Sequence, residues 1–244
     1  MKQKLFLLAL LCVGCTLVGY GQKKPSKPAA TTPRTTATAP TRPTSSRPAS
    51  AMGRVNDEEL PDFERSGGKP MLDAFREREN SHSLQREETM EPQKLSQLLW
   101  MACGQTTPNN YTALQTSDMP CVEMYMINNN GIYRYEREIH QLTAIRKGKF
   151  ANTLMGNEIS VDAATAFFFV FQPGKASNEM GRAITETEAY IDCGAIMQNI
   201  ALFCANEDMA CIPIAFSDKN KTDLLKAINL PEAMVLYGIA IGRK

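Results

Sequence analysis

Two histidines, His82 and His140, and five cysteines, Cys103, Cys121, Cys193, Cys204 and Cys211, are the side chains best suited to metal or nucleophilic chemistry in residues 58–244 of this sequence. The histidines stand far apart, without a His-x-x-x-His or Cys-x-x-Cys companion, so no metal site is expected. His140 reads as a solvated side chain. A serine hydrolase presents its nucleophile on a Gly-x-Ser-x-Gly turn, and the sequence has none. Asp192-Cys193-Gly194, near the head of a helix, would suit a cysteine nucleophile of a hydrolase. That chemistry needs a histidine base, and none follows His140. Cys193 is therefore expected to be an inert residue of a packed helix. Phe171-Gln172-Pro173-Gly174-Lys175 is a turn, with no phosphate-cradling glycine pattern.

The elements that would position these groups centre on Glu186 to Phe216. Ile191, Ala195, Gln198, Leu202 and Ala205 recur at helical spacing, and Tyr190, Gly194, Met197 and Ala201 make a second stripe. Apolar on two sides, this helix is expected to be buried on two sides, at the centre of the fold or of a dimer. A short apolar strand, MACIPIAF, follows it. Upstream, Ala166–Phe171 is continuously apolar, as a strand covered on both faces must be. Pro70 to Leu84 begins helical, and Pro92–Cys103 is a helix with Pro92 in its first turn and Gly104 after its end. Residues 105–120 read as a long loop of the kind that binds ligands. Asn130-Gly131 marks a hairpin between Val122–Ile127 and Ile132–Tyr135. Gln141–Ile145 reads as a strand, Asn152–Ala164 as a helix, and Gln172–Thr185 as a polar loop. A helix introduced by Ser217 runs to Ile228, and Ala233–Ile241 is the last strand. Helices mixed with an antiparallel hairpin define an α+β fold, a mixed or antiparallel sheet flanked by helices with a long buried central helix.

Not all of the chain can belong to that domain. Residues 1–21, with Lys2 and Lys4 ahead of the apolar run Leu5–Val18, have the form of a secretory signal. Gly19-Tyr20-Gly21 fits its cleavage site, and cleavage before Cys15 would instead give a lipoprotein. Residues 22–57 are rich in Pro, Thr, Ala and Ser and read as a disordered linker. Nine of the 27 basic residues and none of the 26 acidic ones precede residue 55, leaving 18 basic against 26 acidic, a net of −8, in the rest. An acidic domain argues against nucleic acid as a partner. The basic linker could meet an anionic membrane surface, and the expected location is the periplasm or cell envelope. Export permits disulfides, although an odd cysteine number without framework spacing does not require them.

Four segments taken together resemble the nitroreductase family: KLSQLLWMACGQ (94–105), VEMYMINNNGIYRYEREIHQL (122–142), GAIMQNIALFCANEDMACIPIAF (194–216) and NLPEAMVLYGIAIGRK (229–244). The order is similar to its SagB-type, azoline-dehydrogenase-like branch, and the likeness covers most of residues 70–244. The resemblance implies a homodimer with FMN at the interface, and two-electron transfer between NAD(P)H and a small organic substrate. It also implies a flavin site. The family's Arg-x-Ser-x-Arg pattern falls on Arg78, Asn80 and His82, with Arg78 suited to a phosphate, Asn80 to a hydrogen bond and His82 to a weaker cationic contact. Its second flavin loop falls on Tyr111–Pro120, bringing in Gln115 and Asp118, the latter of the wrong charge for a phosphate. Glycines at the end of the strand after the long helix are replaced by Ile214 and Ala215. Arg243 stands where the family often keeps a basic phosphate partner.

Two functions follow. One is an exported FMN-dependent oxidoreductase; since NAD(P)H is not expected outside the cytoplasm, it would need another electron donor. The other is a catalytically inactive nitroreductase-fold protein serving as a dimeric binding or structural module of the envelope.

Overall fold

The apolar run around Phe167 becomes a strand buried along its whole length, Thr165–Phe171 (β7). Successive side chains leave a strand on opposite faces, so this run builds two cores at once. Phe167, Phe169 and Phe171 join Leu98, Leu99, Ile196, Ile200 and Phe203 on one face. Ala166, Phe168 and Val170 join Leu224, Ile228 and Val235 on the other.

The computed structural model describes residues 58–85, 90–150 and 165–244. The signal and linker expected over 1–57 and the helix expected over 152–164 lie outside the described residues. The other elements are β1 (Glu58–Glu59), α1 (Met71–Glu77), α2 (Pro92–Cys103), β2 (Gln105–Thr107), β3 (Asn110–Tyr111), β4 (Val122–Asn128), β5 (Gly131–Glu136), β6 (Gln141–Lys147), α3 (Glu186–Asn206), β8 (Met209–Ile214), α4 (Asp218–Ala227) and β9 (Met234–Arg243). The main sheet runs β1-β6-β5-β4-β7-β9-β8, with every pairing antiparallel. Helices α2 and α3 share one core with the sheet, and α4 lies in the other, giving the expected α+β architecture.

Local chemistry sets the turns. Asn128 Oδ1 accepts from Asn130 N at 2.8 Å and Gly131 N at 3.1 Å, closing the β4–β5 turn. A Cβ at Gly131 would strike the Arg146 carbonyl, so only glycine lets β6 approach there. Thr185 and Glu188 form a capping box at the start of α3. Ser217 Oγ caps α4 by accepting from Asn220 N. At one edge of the sheet, β8 contains Pro213, a residue without a backbone donor that an edge position tolerates.

Two details depart from the sequence reading. Gln105–Tyr111 is not loop throughout but holds the β2–β3 hairpin; strands of two or three residues are too short for periodicity to reveal. The buried stripe of α3 is Ala189, Asp192, Cys193, Ile196, Ile200, Phe203 and Cys204. Neither expected stripe is the buried one: of the first, Ala205 is buried and Ala195 and Leu202 half-buried while Ile191 and Gln198 face outward, and of the second, Met197 and Ala201 pack against the core while Tyr190 and Gly194 face outward. The polar Asp192 hid the deep stripe from a count of apolar residues.

The capping box predicts a pH dependence. Arg182 first, then the Thr185 backbone and hydroxyl, hold the Glu188 carboxyl at about 2. A depressed carboxylate stabilises the fold above its ordinary titration range and loses that contribution as pH falls toward the folded value. Glu188→Gln is therefore expected to lower Tm at neutral pH, with the gap to wild type closing as pH falls from 4.5 toward 2. A gap of the same size at pH 2.5 would refute the assignment.

Candidate functional site

Arg78, the residue just after α1, begins a segment that runs beside the end of β9. Gln85 N donates to Arg243 O at 2.9 Å and forms an isolated bridge with it. Leu84 packs where a Cβ on Gly242 would go. The segment that carries Arg78, Asn80 and His82 thus runs up to Gln85 beside Arg243 and forms one corner with it. Arg78 Nη1 donates to Asn80 Oδ1 at 2.9 Å. Neither Arg78 nor Arg243 pairs with a carboxylate among the described residues, whereas Lys244 is engaged by Glu79 at 3.1 Å. Arg243 points to the sheet face of Ile241, Met209 and Cys211, and Arg78 is near enough to Cys211 to act on its charge.

The corner is braced by Lys69. Its Nζ donates to Glu77 Oε2 at 2.9 Å, Asp208 Oδ1 at 2.7 Å and Ala205 O at 3.0 Å, and its backbone N donates to Asn206 Oδ1 at 2.6 Å. The hydrogen bonds that it donates to Asp208 and Glu77 raise the Lys69 ammonium above its ordinary range. The last turn of α3, whose final carbonyls need partners, is fastened in this way to the start of α1.

Gln115 and Asp118 lie elsewhere. Their loop is tied to the first half of α3, where Asp192, 3% exposed, accepts from Thr116 N at 2.8 Å and from Cys121 Sγ at 3.2 Å. Two turns on, Asn199 Nδ2 donates to Thr112 O and Ala102 O, both at 3.2 Å. In the same loop Thr116 Oγ1 is buried with no hydrogen-bond partner. From Asp192 to the level of Cys204, α3 rises roughly 18 Å at about 1.5 Å per residue, so the two groups of site residues stand well apart in one chain. Sequence reasoning missed Asp192 and Asn199. Their seven-residue spacing on a largely buried helix was the signal that could have found them.

Three other expectations are resolved by position. Ile214 is buried in the core that holds Leu224 and Phe216, on the sheet face opposite Cys211, and is not brought to Arg78. The alternation of β8 carries its side chain away, so it does not fill the corner. His140 is not a solvated residue: its Nε2 meets Ser96 Oγ at 2.8 Å, its Nδ1 meets Tyr135 Oη at 2.7 Å, and the Phe63 ring packs edge-on against it. Ser96 is fully buried and donates to Pro61 O, so this Ser–His pair pins the N-terminal segment and has no nucleophile to offer. Burial, then Asp192, pushes the Cys193 thiol up to about 12, which leaves it inert at neutral pH.

Asp192→Ala would strand the Thr116 amide and the Cys121 thiol. The expected loss is about 1–3 kcal/mol in urea unfolding, and less for Asp192→Asn, which keeps an acceptor for Thr116. Equal losses for the two would show that the hydrogen bond to Thr116 is not the anchor.

The family model described as "Nitroreductase family" matches residues 76–243, which include the corner, the loop and the whole of α3. No curated protein matches the sequence significantly. Among solved structures, a Ralstonia eutropha JMP134 protein named for the nitroreductases superposes with a TM-score of 0.65 at 21% identity, covering 75% of this chain and 87% of that one. A chain of the E. coli microcin synthetase McbBCD complex, solved with truncated pro-MccB17 bound, gives 0.58 at 16% identity, covering 78% and 79%. Identities this low speak for the shared fold alone. The family match, spanning more than half of the sequence, carries the assignment: this chain belongs to the nitroreductase family.

Proposed function

We propose that the protein is an FMN-dependent oxidoreductase, with the flavin phosphate at the Arg78–Arg243 corner. The family generally uses FMN, which when bound supplies two-electron chemistry toward a small organic substrate. The observation that carries the reading is the pair of guanidiniums at that corner, both without a carboxylate among the described residues. A phosphate supplies the acceptors they lack, in charge-assisted and bidentate form. Ile214 no longer argues against the cofactor, since its side chain lies in the other core.

The loop and the corner lie too far apart along α3 for one chain to close around a single ligand. The reading therefore takes a homodimer, with Arg78 and Arg243 from one copy and the Gln115–Asp118 loop from the other. Exposed apolar residues on α1 (Met71, 70%; Leu72, 77%) and Tyr190 and Ile191 on α3 give such a dimer a surface to cover. Export to the cell envelope, inferred from residues 1–21, belongs to the reading, and with it an electron donor other than soluble NAD(P)H.

Purified protein mixed with FMN and desalted is expected to keep a flavin absorption band at one flavin per chain, as a dimer. Arg78→Ala or Arg243→Ala should weaken FMN binding by about 10- to 100-fold, the loss of one charged hydrogen-bonding partner. A colourless dimer after desalting would replace this reading with that of a binding module, and stoichiometric flavin on a monomer would refute the shared site.

A further inference from the structure

Among the described residues Arg137 is the one buried cation, 8% exposed. It begins the turn between β5 and β6, which runs from Arg137 to His140. A cation taken out of water is costly unless other groups replace its hydration. Two groups do so here. Nη2 of Arg137 donates to the Val122 carbonyl, and the guanidinium carbon lies 5.7 Å from the centroid of the Tyr111 ring. Such a contact between a cation and a ring gains strength away from water. No carboxylate of the described residues forms an ion pair with it.

The two partners are the two ends of one segment. Tyr111 closes β3, Val122 opens β4, and the loop between them carries Gln115 and Asp118. Among the described residues the β2–β3 hairpin is a sheet of its own, with no strand paired to the seven-stranded one. Thr112 ties the hairpin to the helices, through Trp100 O, Gly104 O and Asn199. Arg137 ties it to the main sheet, since Val122 belongs to that sheet and Tyr111 to the hairpin. The base of this tie is itself braced. His140, in the same turn, meets Ser96 Oγ at 2.8 Å and Tyr135 Oη at 2.7 Å. A charge on a braced turn thus holds both ends of a loop that is open farther along, where Leu114 is 70% and Met119 49% exposed.

We propose that Arg137 is a positioning residue for this loop: by holding Tyr111 and Val122 together it sets where Gln115 and Asp118 stand toward a flavin, a role that rests on the reading of the loop as part of an FMN site. The task suits an arginine. Its permanently charged, planar guanidinium can serve a ring and a carbonyl at once in a fixed geometry. A lysine ammonium keeps the charge and a donor but fixes the geometry less, and a glutamine amide keeps only a donor. Without the clamp the loop regains conformational freedom, and ligand binding must then remove it.

The test is amide hydrogen exchange of the full chain before any flavin is added, read by mass spectrometry over residues 112–121. Arg137→Gln should speed exchange there about tenfold while residues 193–203 of α3 keep their protection, and Arg137→Lys should recover most of the difference. Wild-type exchange in Arg137→Gln, or equal exchange in the Gln and Lys variants, would overturn the proposal. Should Arg137→Gln loosen the whole chain, Tyr111→Leu decides, because it removes the ring and leaves the cation. Faster exchange confined to 112–121 in that variant supports the clamp, and wild-type exchange refutes it. In protein that binds FMN, Arg137→Gln should raise the Kd about tenfold and Arg137→Lys about threefold or less. A loosened loop with an unchanged Kd would overturn the link to flavin. A wild type that takes up no flavin, with its loop loosened by Arg137→Gln as expected, would sink the oxidoreductase reading and leave the clamp standing.

Discussion

Everything at the candidate site depends on how α3 is seated. Its deep stripe, Ile196, Ile200 and Phe203, shares a core with Phe167, Phe169 and Phe171 of β7, and apolar burial of that size is the dominant favourable term in folding. Burial fixes the height and rotation of the helix but says nothing about loops. Those are placed by a few polar groups along it. Asp192 holds Thr116 and Cys121, Asn199 holds Ala102 and Thr112, and the last turn hangs on Lys69. A shift of the helix would therefore move the loop and the basic corner together.

These attachments have different characters. Asp192 is a buried carboxylate served by an N–H and an S–H donor, so its loss would leave buried donors unsatisfied. Lys69 works at the rim, where its pairs with Glu77 and Asp208 are screened by solvent and contribute less individually. Its value is geometric: it joins the end of α3, the turn into β8 and the start of α1.

The fold was legible in the sequence because its signals are local. AFFFVF could only be a strand covered on both sides, Asn130-Gly131 could only be a turn between strands, and the spacing in KLSQLLWMAC could only be a helix. Arg78, Asn80, His82 and Arg243 were named as one group only through the order of segments that the family resemblance supplied, and the bridge from Gln85 to Arg243 is what joins their segments in the structure. Asp192 was not, because its partners stand 76 and 71 positions away and a polar residue in a helix reads as a surface one. His140 failed for the same reason: Ser96, which clamps it, is 44 positions upstream. The side of the sheet that Ile214 faces depends on the β8–β9 register, which no count along β8 alone can give.

Pro213 has an effect beyond its own strand. An edge strand offers a row of unpaired amides and carbonyls to any other chain, and such rows are where sheets fuse and aggregates begin. Pro213 lies on the outermost strand opposite Ile239, and it breaks that row of donors near its end. A neighbouring molecule that tried to continue the ladder past β8 would lose a hydrogen bond there. Extension of the seven-stranded sheet from one molecule to the next is thereby disfavoured at this edge.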